Sequence, residues 1–311
     1  MTQTLPNLPH LDVHALLKRH RLRPDPRLGQ NFLVDDNALR SVVIAAEIGA
    51  NETVLEIGPG LGSLTRYLTQ LAKQVVAIEV DKRFLVPLGE VLAPYPNIRL
   101  VHGDILAFQP EQLFEGALPG QAGYLVVANI PYYITSALVR HLLEAPARPT
   151  RLVLTVQREV AERICAPAGE LSLLALSVQV YGAARIAARI PASAFYPPPK
   201  VDSAVVRVEI DPIPKIDPDK MGIFFQLIKA GFSQKRKTLR NALAGGMRWT
   251  SSQAEAHLLL AGIQPGRRAQ TLTLVEWSTL AEVTSSNHLT FHASSEVGDL
   301  SPPQNQQNPP Q

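Results

Sequence analysis

The sequence is poor in cysteine and tryptophan. Its 311 residues include one cysteine, Cys165, and two tryptophans. A single cysteine excludes an internal disulfide and a cysteine-rich zinc site, and is typical of a reducing compartment. No apolar run reaches the roughly 18 residues of a membrane span, and the N-terminus lacks the apolar core of a signal peptide. We therefore expect a cytoplasmic protein with no membrane association and no bound metal.

Neither sign of charge dominates the chain. The net charge is +3 and the pI is about 9.0, so a polyanionic partner is permitted but not identified. The length suits one large and one small domain. From composition we expect four regions: a loose N-terminal arm and helix over 1–21, a sheet-containing domain over 22–210, a helical domain over 211–284, and a disordered polar tail over 285–311.

The segment TVLEIGPGLGSLT, residues 53–65, predicts a strand, a glycine turn and a helix in succession. The β-branched apolar run at 53–57 is typical of a buried parallel strand. Gly58, Gly60 and Gly62 let the backbone approach a ligand, and the helix that follows points its first N–H groups at it. The alternative is that these glycines only make the turn tight.

Two residues narrow the kind of ligand that we expect at this turn. Ser63 occupies the place of the last glycine in a G-x-G-x-x-G motif, which disfavours NAD and FAD. Glu56 lies inside the strand, where a buried carboxylate is costly without a partner. We therefore expect Glu56 to face a cation or a hydrogen-bond donor of the ligand, and the sulfonium S-adenosylmethionine fits.

Two further strand ends carry acidic residues. The strand at 75–80 contains Glu79, 21 residues after Gly58, where a doubly wound sheet brings a carboxylate to the ligand's ribose hydroxyls. Asp81 is the alternative for this role, or it caps the next helix. Asp104 follows a third strand and can accept a hydrogen bond from an adenine amino group. A surface turn is the other interpretation of Asp104.

The tetrapeptide Asn129-Ile130-Pro131-Tyr132 follows a fourth strand and suits a planar amine. The Asn129 side-chain carbonyl and the Ile130 main-chain carbonyl can accept both hydrogens of an exocyclic amino group. Pro131 fixes its own φ and makes the turn rigid. Tyr132 offers a ring on which a base can stack. This segment therefore predicts a site for a nucleobase amine.

Aromatic and basic residues elsewhere suggest a nucleic-acid partner. Phe195 begins a stiff loop with three prolines, which either closes over a flipped-out base or forms a hydrophobic plug. The basic stretch at 18–27 is either a solvated surface or a phosphate contact. In the C-terminal region we favour phosphate contacts over a solvated face for a cluster of basic residues: Lys229, Lys235, Arg236, Lys237 and Arg240.

Together these segments resemble the ribosomal RNA small subunit adenine dimethyltransferases of the KsgA/RsmA type. The resemblance covers residues 22–284 and rests on GQNFL (29–33), LEIGPGLGSLT (55–65), IEVDK (78–82), GDIL (103–106), NIPYYIT (129–135), FYPPPKVDSAVV (195–206) and FSQKRKTLRNAL (232–243). It implies an α/β fold, a doubly wound Rossmann-like class I S-adenosylmethionine-dependent methyltransferase domain, with a smaller all-α C-terminal domain that grips RNA.

The resemblance also implies roles for individual residues. Asn129, Pro131, Tyr132 and Phe195 are the expected catalytic residues, and the two aromatic rings sandwich the target adenine. The expected cofactor-binding residues come from the strand ends and from the loop before the first helix of the domain: Asn31, Leu33, Glu56, Gly58, Gly60, Glu79, Asp104 and Asn129. Gln30 is adjacent to them.

The activity that the resemblance implies is dimethylation of two adjacent adenines in a 3′-terminal hairpin of 16S rRNA, in the small ribosomal subunit or its precursor. We expect a monomer in which the adenine amine displaces the sulfonium methyl in line, without a dedicated general base. One alternative is a large-subunit methyltransferase of the macrolide-resistance type. Another is a ribosome-assembly or nucleic-acid-binding factor without catalysis, and a dinucleotide oxidoreductase is a remote third.

Overall fold

A mixed seven-stranded sheet forms the centre of the first of two compact units, which divide between Lys215 and Ile216. The computed structural model describes residues 5–114, 123–130 and 134–295, and of 287–295 the backbone alone. The strands are β1 (Phe32–Leu33), β2 (Thr53–Ile57), β3 (Gln74–Glu79), β4 (Ile98–His102), β5 (Tyr124–Asn129), β6 (Arg151–Gln157), β7 (Gly182–Ile190), β8 (Phe195–Tyr196) and β9 (Ser203–Ile210).

The sheet order is β4-β3-β2-β5-β6-β9-β7. β4, β3, β2, β5 and β6 are parallel, whereas β9 runs antiparallel to both β6 and β7. All five residues of β2 are buried, as expected for a central parallel strand covered on both faces. Because the strands are parallel, the carboxyl ends of β2, β3 and β5 meet at one edge of the sheet. This confirms the predicted Rossmann-like α/β fold.

The first helix of the first unit precedes all of its strands, and the other helices lie between strands along the chain. The helices are α1 (Val13–Arg19), α2 (Asp36–Ala46), α3 (Thr65–Leu71), α4 (Leu85–Leu92), α5 (Thr135–Glu144), α6 (Arg158–Ile164) and α7 (Leu173–Gln179). The side chain of Asp12 accepts a hydrogen bond from Ala15 N, and that of Asp35 accepts one from Ala38 N, both at 2.8 Å. These side chains satisfy backbone donors that the first helical turn leaves free.

The N-terminal segment packs on the first unit. Leu5 and Leu8 contact its hydrophobic core, and Arg66 Nη2 donates to Pro9 O at 2.7 Å. We expected a loose arm here, whereas the described residues of this segment make these packing contacts. The arm has few apolar residues, but two leucines and one buried arginine partner are enough to hold it.

The second unit is helical where it is described. It contains α8 (Pro218–Phe232), α9 (Leu239–Met247), α10 (Ser251–Leu260) and α11 (Leu274–Ser295). A Cβ at Gly246 would lie 2.4 Å from the Cβ of Ala230, so this glycine allows α8 and α9 to approach closely. We predicted a disordered tail from residue 285, whereas α11 continues to Ser295. Residues 296–311 of that tail lie outside the described residues.

Two features are absent from the described residues. None of the helices there is long and apolar enough to cross a membrane. Nor does the described part of the chain contain a group of three or more histidine, cysteine or acidic side chains placed to hold a metal ion.

Candidate active site

The turn after β2 adopts a backbone conformation that favours glycine. Gly58, Gly60 and Gly62 have φ values of +70°, +57° and +85°, in the left-handed region where a Cβ is strained. A Cβ at Gly60 would lie 2.8 Å from the Phe32 ring. The turn is therefore both tight and closely covered, and it leaves its backbone exposed to the space at the carboxyl end of β2.

A pocket with about 730 Å³ of open space lies at this edge of the sheet. Three segments and five single residues line it. The segments are 28–33, 58–61 and 63–64, and the single residues are Glu56, Glu79, Val80, Phe84 and Asn129.

Glu79 is buried at the end of β3 and is held by backbone donors. One carboxylate oxygen, Oε2, accepts from Gly60 N at 3.0 Å, and the other, Oε1, accepts from Asp81 N at 2.9 Å. Burial raises the pKa of this carboxyl above its usual value, and the two backbone hydrogen bonds oppose that shift. A carboxylate oxygen can accept more than one hydrogen bond, so Glu79 retains acceptor capacity toward the pocket.

Glu56 is also buried, with 1% of its surface exposed, but it is not satisfied. Its Oε2 has no hydrogen-bond partner among the described residues. Burial raises the pKa of Glu56 to about 8, and the negative charge of Glu79 contributes to the rise. A buried acceptor without a donor is costly, so the site fits a ligand that brings a cation or an N–H or O–H donor.

Gln30 ties the loop before β1 to the end of β3. Its Oε1 accepts from Asp25 N at 2.7 Å and its Nε2 donates to Asp81 Oδ2 at 2.8 Å. Hydrogen bonds from Arg83 lower the pKa of Asp81 to about 2, with a smaller contribution from Gln30. Asp81 is therefore ionised throughout the neutral range. The hydrogen bond from Gln30 therefore holds this loop, which forms one wall of the pocket, against the ionised carboxylate of Asp81.

The orientation of the Asn129 amide is fixed by its neighbour. Asn129 is half-buried at the end of β5, and its Nδ2 donates to the main-chain oxygen of Asn31 at 3.0 Å. Only the NH₂ end of an amide can donate to a carbonyl, so Oδ1 is the end left to accept a hydrogen bond. Asn31 is itself held by a bond from its Nδ2 to Gly29 O at 3.2 Å.

A two-stranded antiparallel ladder joins the cofactor side to the proline loop. β1 pairs with β8, with Phe32 opposite Tyr196 and Leu33 opposite Phe195. Val34 N donates to Ala194 O at 2.9 Å and extends the connection. Phe32 and Leu33 line the pocket. The loop that begins at Phe195 is therefore attached directly to a wall of the pocket.

Comparison with known proteins identifies the family. A family model described as ribosomal RNA adenine dimethylase matches residues 21–285. The chain belongs to this family. It is therefore an S-adenosylmethionine-dependent methyltransferase that acts on adenine in ribosomal RNA. The pocket suits S-adenosylmethionine, because Glu56 Oε2 lacks a hydrogen-bond partner among the residues that the structure describes and the glycine turn leaves its backbone accessible.

Individual relatives agree with this family. The chain is 43% identical to the ribosomal RNA small subunit methyltransferase A of Dehalococcoides mccartyi strain 195, over 88% of this chain and 92% of that protein. It is 41% identical to the protein of the same name from Moorella thermoacetica, over 86% and 94%.

Two solved structures share the fold. One is the 23S rRNA methyltransferase ErmE, with a TM-score of 0.65 and 29% identity, covering 82% of this chain and 100% of that one. The other is a dimethyladenosine transferase from Plasmodium falciparum, with a TM-score of 0.67 and 25% identity, covering 82% and 98%.

Most residues that we assigned to the cofactor meet in one pocket. Asn31, Leu33, Glu56, Gly58, Gly60, Glu79 and Asn129 all line it, and so does Gln30. Asp104 does not belong to the lining: its side chain is exposed, and Oδ1 accepts from Leu106 N at 3.0 Å. The residue before it, Gly103, donates its N–H to the main-chain oxygen of the pocket residue Glu79 at 2.9 Å. Asp104 therefore follows a residue that contacts the pocket wall.

The expected catalytic residues are placed less uniformly. Asn129 lies in the pocket, whereas Pro131 and Tyr132 lie outside the described residues. Phe195 is 4% exposed, packs in the hydrophobic core and does not line the pocket. In this structure its ring therefore corresponds to the hydrophobic plug that was the alternative interpretation.

The basic residues assigned to RNA lie on the second unit. Lys229 of α8 and the residues 235–237 between α8 and α9 are exposed. Arg240 is half-buried and its guanidinium pairs with Glu255 at 3.2 Å. A partner of opposite charge reduces the share of Arg240 available to phosphate, so the exposed lysines and Arg236 are the better candidates.

The sequence did not reveal that Gln30 holds the loop before β1 through its hydrogen bonds to Asp25 and Asp81. It also did not reveal the hydrogen bond between Asn129 and Asn31. The amide side chains in GQNFL were visible, but a single sequence does not reveal their partners. The partners lie 51 residues away for Gln30 and 98 residues away for Asn129.

Proposed function

We propose that the protein dimethylates the exocyclic amines of two adjacent adenines in a 3′-terminal hairpin of 16S rRNA, in the small ribosomal subunit or its precursor. Support for the small-subunit substrate comes from sequence: identity is 43% to a small-subunit methyltransferase and 29% to ErmE, which acts on 23S rRNA. Since bacterial ribosomes assemble in the cytoplasm, we place the reaction there.

The observation that carries the catalytic proposal is the fixed amide of Asn129. Because its Nδ2 is bonded to Asn31 O at 3.0 Å, Oδ1 is held ready to accept from the adenine amine. The lone pair of that nitrogen is delocalised into the ring, which makes it a weak nucleophile. Hydrogen bonds from N–H to Oδ1, and to the main-chain oxygen of Ile130, favour a tetrahedral nitrogen and aim its lone pair.

Several described residues are proposed to hold S-adenosylmethionine. When bound, it supplies an electrophilic methyl group on a sulfonium sulfur. Glu79 accepts from the ribose hydroxyls with the acceptor capacity left on its two oxygens, and Glu56 accepts from a donor or faces the positive charge. The glycine turn at 58–62 lets the methionine end approach the backbone, and Asp104 accepts from the adenine amino group with its free oxygen Oδ2.

Dimethylation places a requirement on the amine site. After the first transfer the nitrogen has one hydrogen, so the site cannot depend on two N–H bonds. A single fixed acceptor, Oδ1 of Asn129, satisfies this requirement, because either the amine or the methylamine can donate to it. Pro131 and Tyr132 are proposed to shape and stack the base once it has left the RNA helix, and the buried Phe195 is proposed to support the proline loop beside it.

The second unit is proposed to grip RNA as part of a monomeric enzyme. Exposed cations at Lys229, Lys235, Arg236 and Lys237 can neutralise phosphates, which provides affinity without sequence selectivity. Selection of the target adenines is then left to the shape of the subunit and to the base pocket.

The test is methyl transfer from labelled S-adenosylmethionine to small subunits that lack the modification, with large-subunit RNA in parallel. Products are digested to nucleosides, and Asn129→Ala is assayed beside the wild-type protein. We expect dimethyladenosine from the small subunit alone, lost in the variant. Label in large-subunit RNA would move the protein to the resistance-type enzymes. Bound cofactor with no transfer to either RNA would contradict catalysis on these substrates and favour an assembly factor.

A further inference from the structure

We propose that α1 and the proline loop form a second RNA-contact surface, the N-terminal RNA surface, made of His14, Lys18, Arg21, Arg23, Tyr196 and Lys200. On this surface a nucleotide that flanks the target adenine stacks on the exposed rings while its phosphates contact the cations. The inference rests on the proposed function, since it assumes that RNA enters beside the pocket.

The helix is fixed in place against the cofactor pocket. Val13, Leu16 and Leu17 are buried in a cluster with Phe32, Leu61 and Phe84. The last three residues also line the pocket. Because one face of this short helix is packed against the pocket wall, its opposite face has a defined position beside the active site.

The exposed face of α1 contacts the proline loop through aromatic rings. The rings of His14 and Tyr196 are perpendicular, with centroids 5.4 Å apart. Tyr196 remains 36% exposed, and His14 is exposed. Tyr196 also pairs with Phe32 in the β1–β8 ladder, so the ring pair lies at the border of the pocket. Exposed rings next to a base site suit stacking, which is worth about 1–3 kcal/mol per base in single-strand binders.

The cations on α1 and in the segment after it differ in whether they already have a partner. Arg19 and Arg27 pair with Glu90 and Asp25 at 2.5 Å and 2.9 Å. In contrast, the side chains of Lys18, Arg21 and Arg23 are exposed and have no hydrogen bond or ion pair in the part of the chain that the structure describes.

Lys200, which directly follows the proline run, is also exposed and lacks a side-chain partner among the described residues. Unneutralised cations around exposed rings are the combination that single-stranded nucleic acid binds. RNA is the partner we commit to, because the neighbouring pocket already acts on RNA.

The first test measures binding of the unmethylated small subunit as a function of salt. The variant is the triple change Lys18→Gln, Arg21→Gln and Arg23→Gln. Each phosphate contact contributes about 0.7 to the slope of log affinity against log salt for single strands, so we expect the slope to fall by about 2. Affinity for S-adenosylhomocysteine, measured by calorimetry, should not change, which separates this surface from the pocket.

A matched single pair provides the control. Lys18→Gln removes a charge from the proposed surface, and Lys73→Gln removes an exposed charge just before β3, at the opposite edge of the sheet. We expect a reduced slope for the first and an unchanged slope for the second. Equal slopes for both, with a triple variant that binds like wild type, would overturn the proposal.

The second test addresses stacking. Tyr196→Ala should weaken RNA binding about tenfold, in line with the loss of one stacked base, and Tyr196→Phe should restore it because the ring remains. Unchanged RNA affinity of Tyr196→Ala would contradict the stacking role. Failure of the wild-type protein to methylate any subunit would refute the proposed function instead, so the two failures are distinguishable.

Discussion

Charged side chains behave differently in the pocket and on the N-terminal RNA surface. In the pocket, Glu56 and Glu79 are buried and their charges interact with one another and with fixed donors. On the surface, Lys18 and Arg23 are exposed and have no partners within the described residues. Removing a buried charge leaves the groups around it without their hydrogen-bond or charge partner, whereas removing an exposed one mainly changes the ionic atmosphere. Substitutions in the pocket should therefore change activity or ligand affinity strongly and independently of salt. Substitutions on the surface should change RNA affinity by small, additive amounts that depend on salt.

The largest effect is expected for Asn129→Ala. The change removes the oriented acceptor Oδ1, and loss of one such fixed hydrogen-bonding group costs about 100-fold or more in turnover. Single-turnover methyl transfer measures the effect directly. Asn97→Ala is a matched control, since that amide bonds Thr69 O and Ala72 O at 2.9 and 3.0 Å away from the pocket lining. Equal losses in both variants would mean that Asn129 acts through stability alone.

Glu56→Gln should weaken the cofactor and strengthen the fold. The pKa of Glu56 is about 8 in the folded protein, above its unfolded value near 4.5, so stability falls as pH rises between the two values and the full cost is present above pH 8. The neutral amide avoids that cost. We expect a gain of a few kcal/mol in unfolding free energy at about pH 9, shrinking toward zero near about pH 5.

At about pH 9, where Glu56 is ionised in the folded protein, the same variant should bind S-adenosylmethionine about 10- to 100-fold more weakly, because a charged acceptor is lost from a buried site. Denaturant unfolding at the two pH values and calorimetry of binding provide the measurements. Glu52→Gln, on an acid just before β2 that does not line the pocket, controls for general loss of negative charge. A stability gain of equal size at both pH values would contradict the buried-charge explanation.

Gln30→Glu should produce a pH-dependent loss of cofactor affinity. The new carboxylate would face Asp81, whose oxygen is 2.8 Å from Gln30 Nε2 and whose pKa is about 2. Repulsion should open the loop and weaken S-adenosylhomocysteine binding about tenfold at neutral pH. Affinity should recover toward pH 5 as the new group is protonated. Gln30→Ala should lose affinity at both pH values, and a pH-independent Gln30→Glu would refute the fastening role.

The smallest effect is expected for Asp104→Ala. Its Oδ1 caps the turn at Leu106 N, and its Oδ2 has no partner within the part of the chain that the structure describes, so the proposed contact with the adenine amine is one exposed hydrogen bond. We expect a three- to tenfold loss of cofactor affinity, about 1 kcal/mol. Asp104→Asn retains an oxygen acceptor and should lose less. No change in either variant would return Asp104 to the role of a surface turn.

The strand-and-turn part of the site was predictable from the sequence. The order of strands, the glycine turn and the acids at strand ends have local patterns, and Glu56, Gly58 and Glu79 line one pocket in the structure. The family and the Rossmann-like fold are confirmed as well.

The side-chain partners in the site and the burial of Phe195 depend on contacts between residues that are distant in sequence. Nothing in GQNFL indicates that Gln30 bonds Asp81 or that Asn31 O orients Asn129, because side-chain partners follow from the folded chain rather than from local periodicity. The burial of Phe195 is similar: its position in the β1–β8 ladder decides which ring points to the core and which to solvent. The docking of Leu5 and Leu8 requires only a complementary surface, which composition does not reveal.

The β1–β8 ladder has a thermodynamic consequence. It joins the wall of the cofactor pocket to the proline loop, so any ligand that stabilises the ladder from one side stabilises the other side too. Binding free energies coupled in this way are reciprocal. The factor by which the methyl donor tightens RNA binding must equal the factor by which RNA tightens binding of the methyl donor. Whatever coupling the ladder transmits therefore acts equally on both ligands.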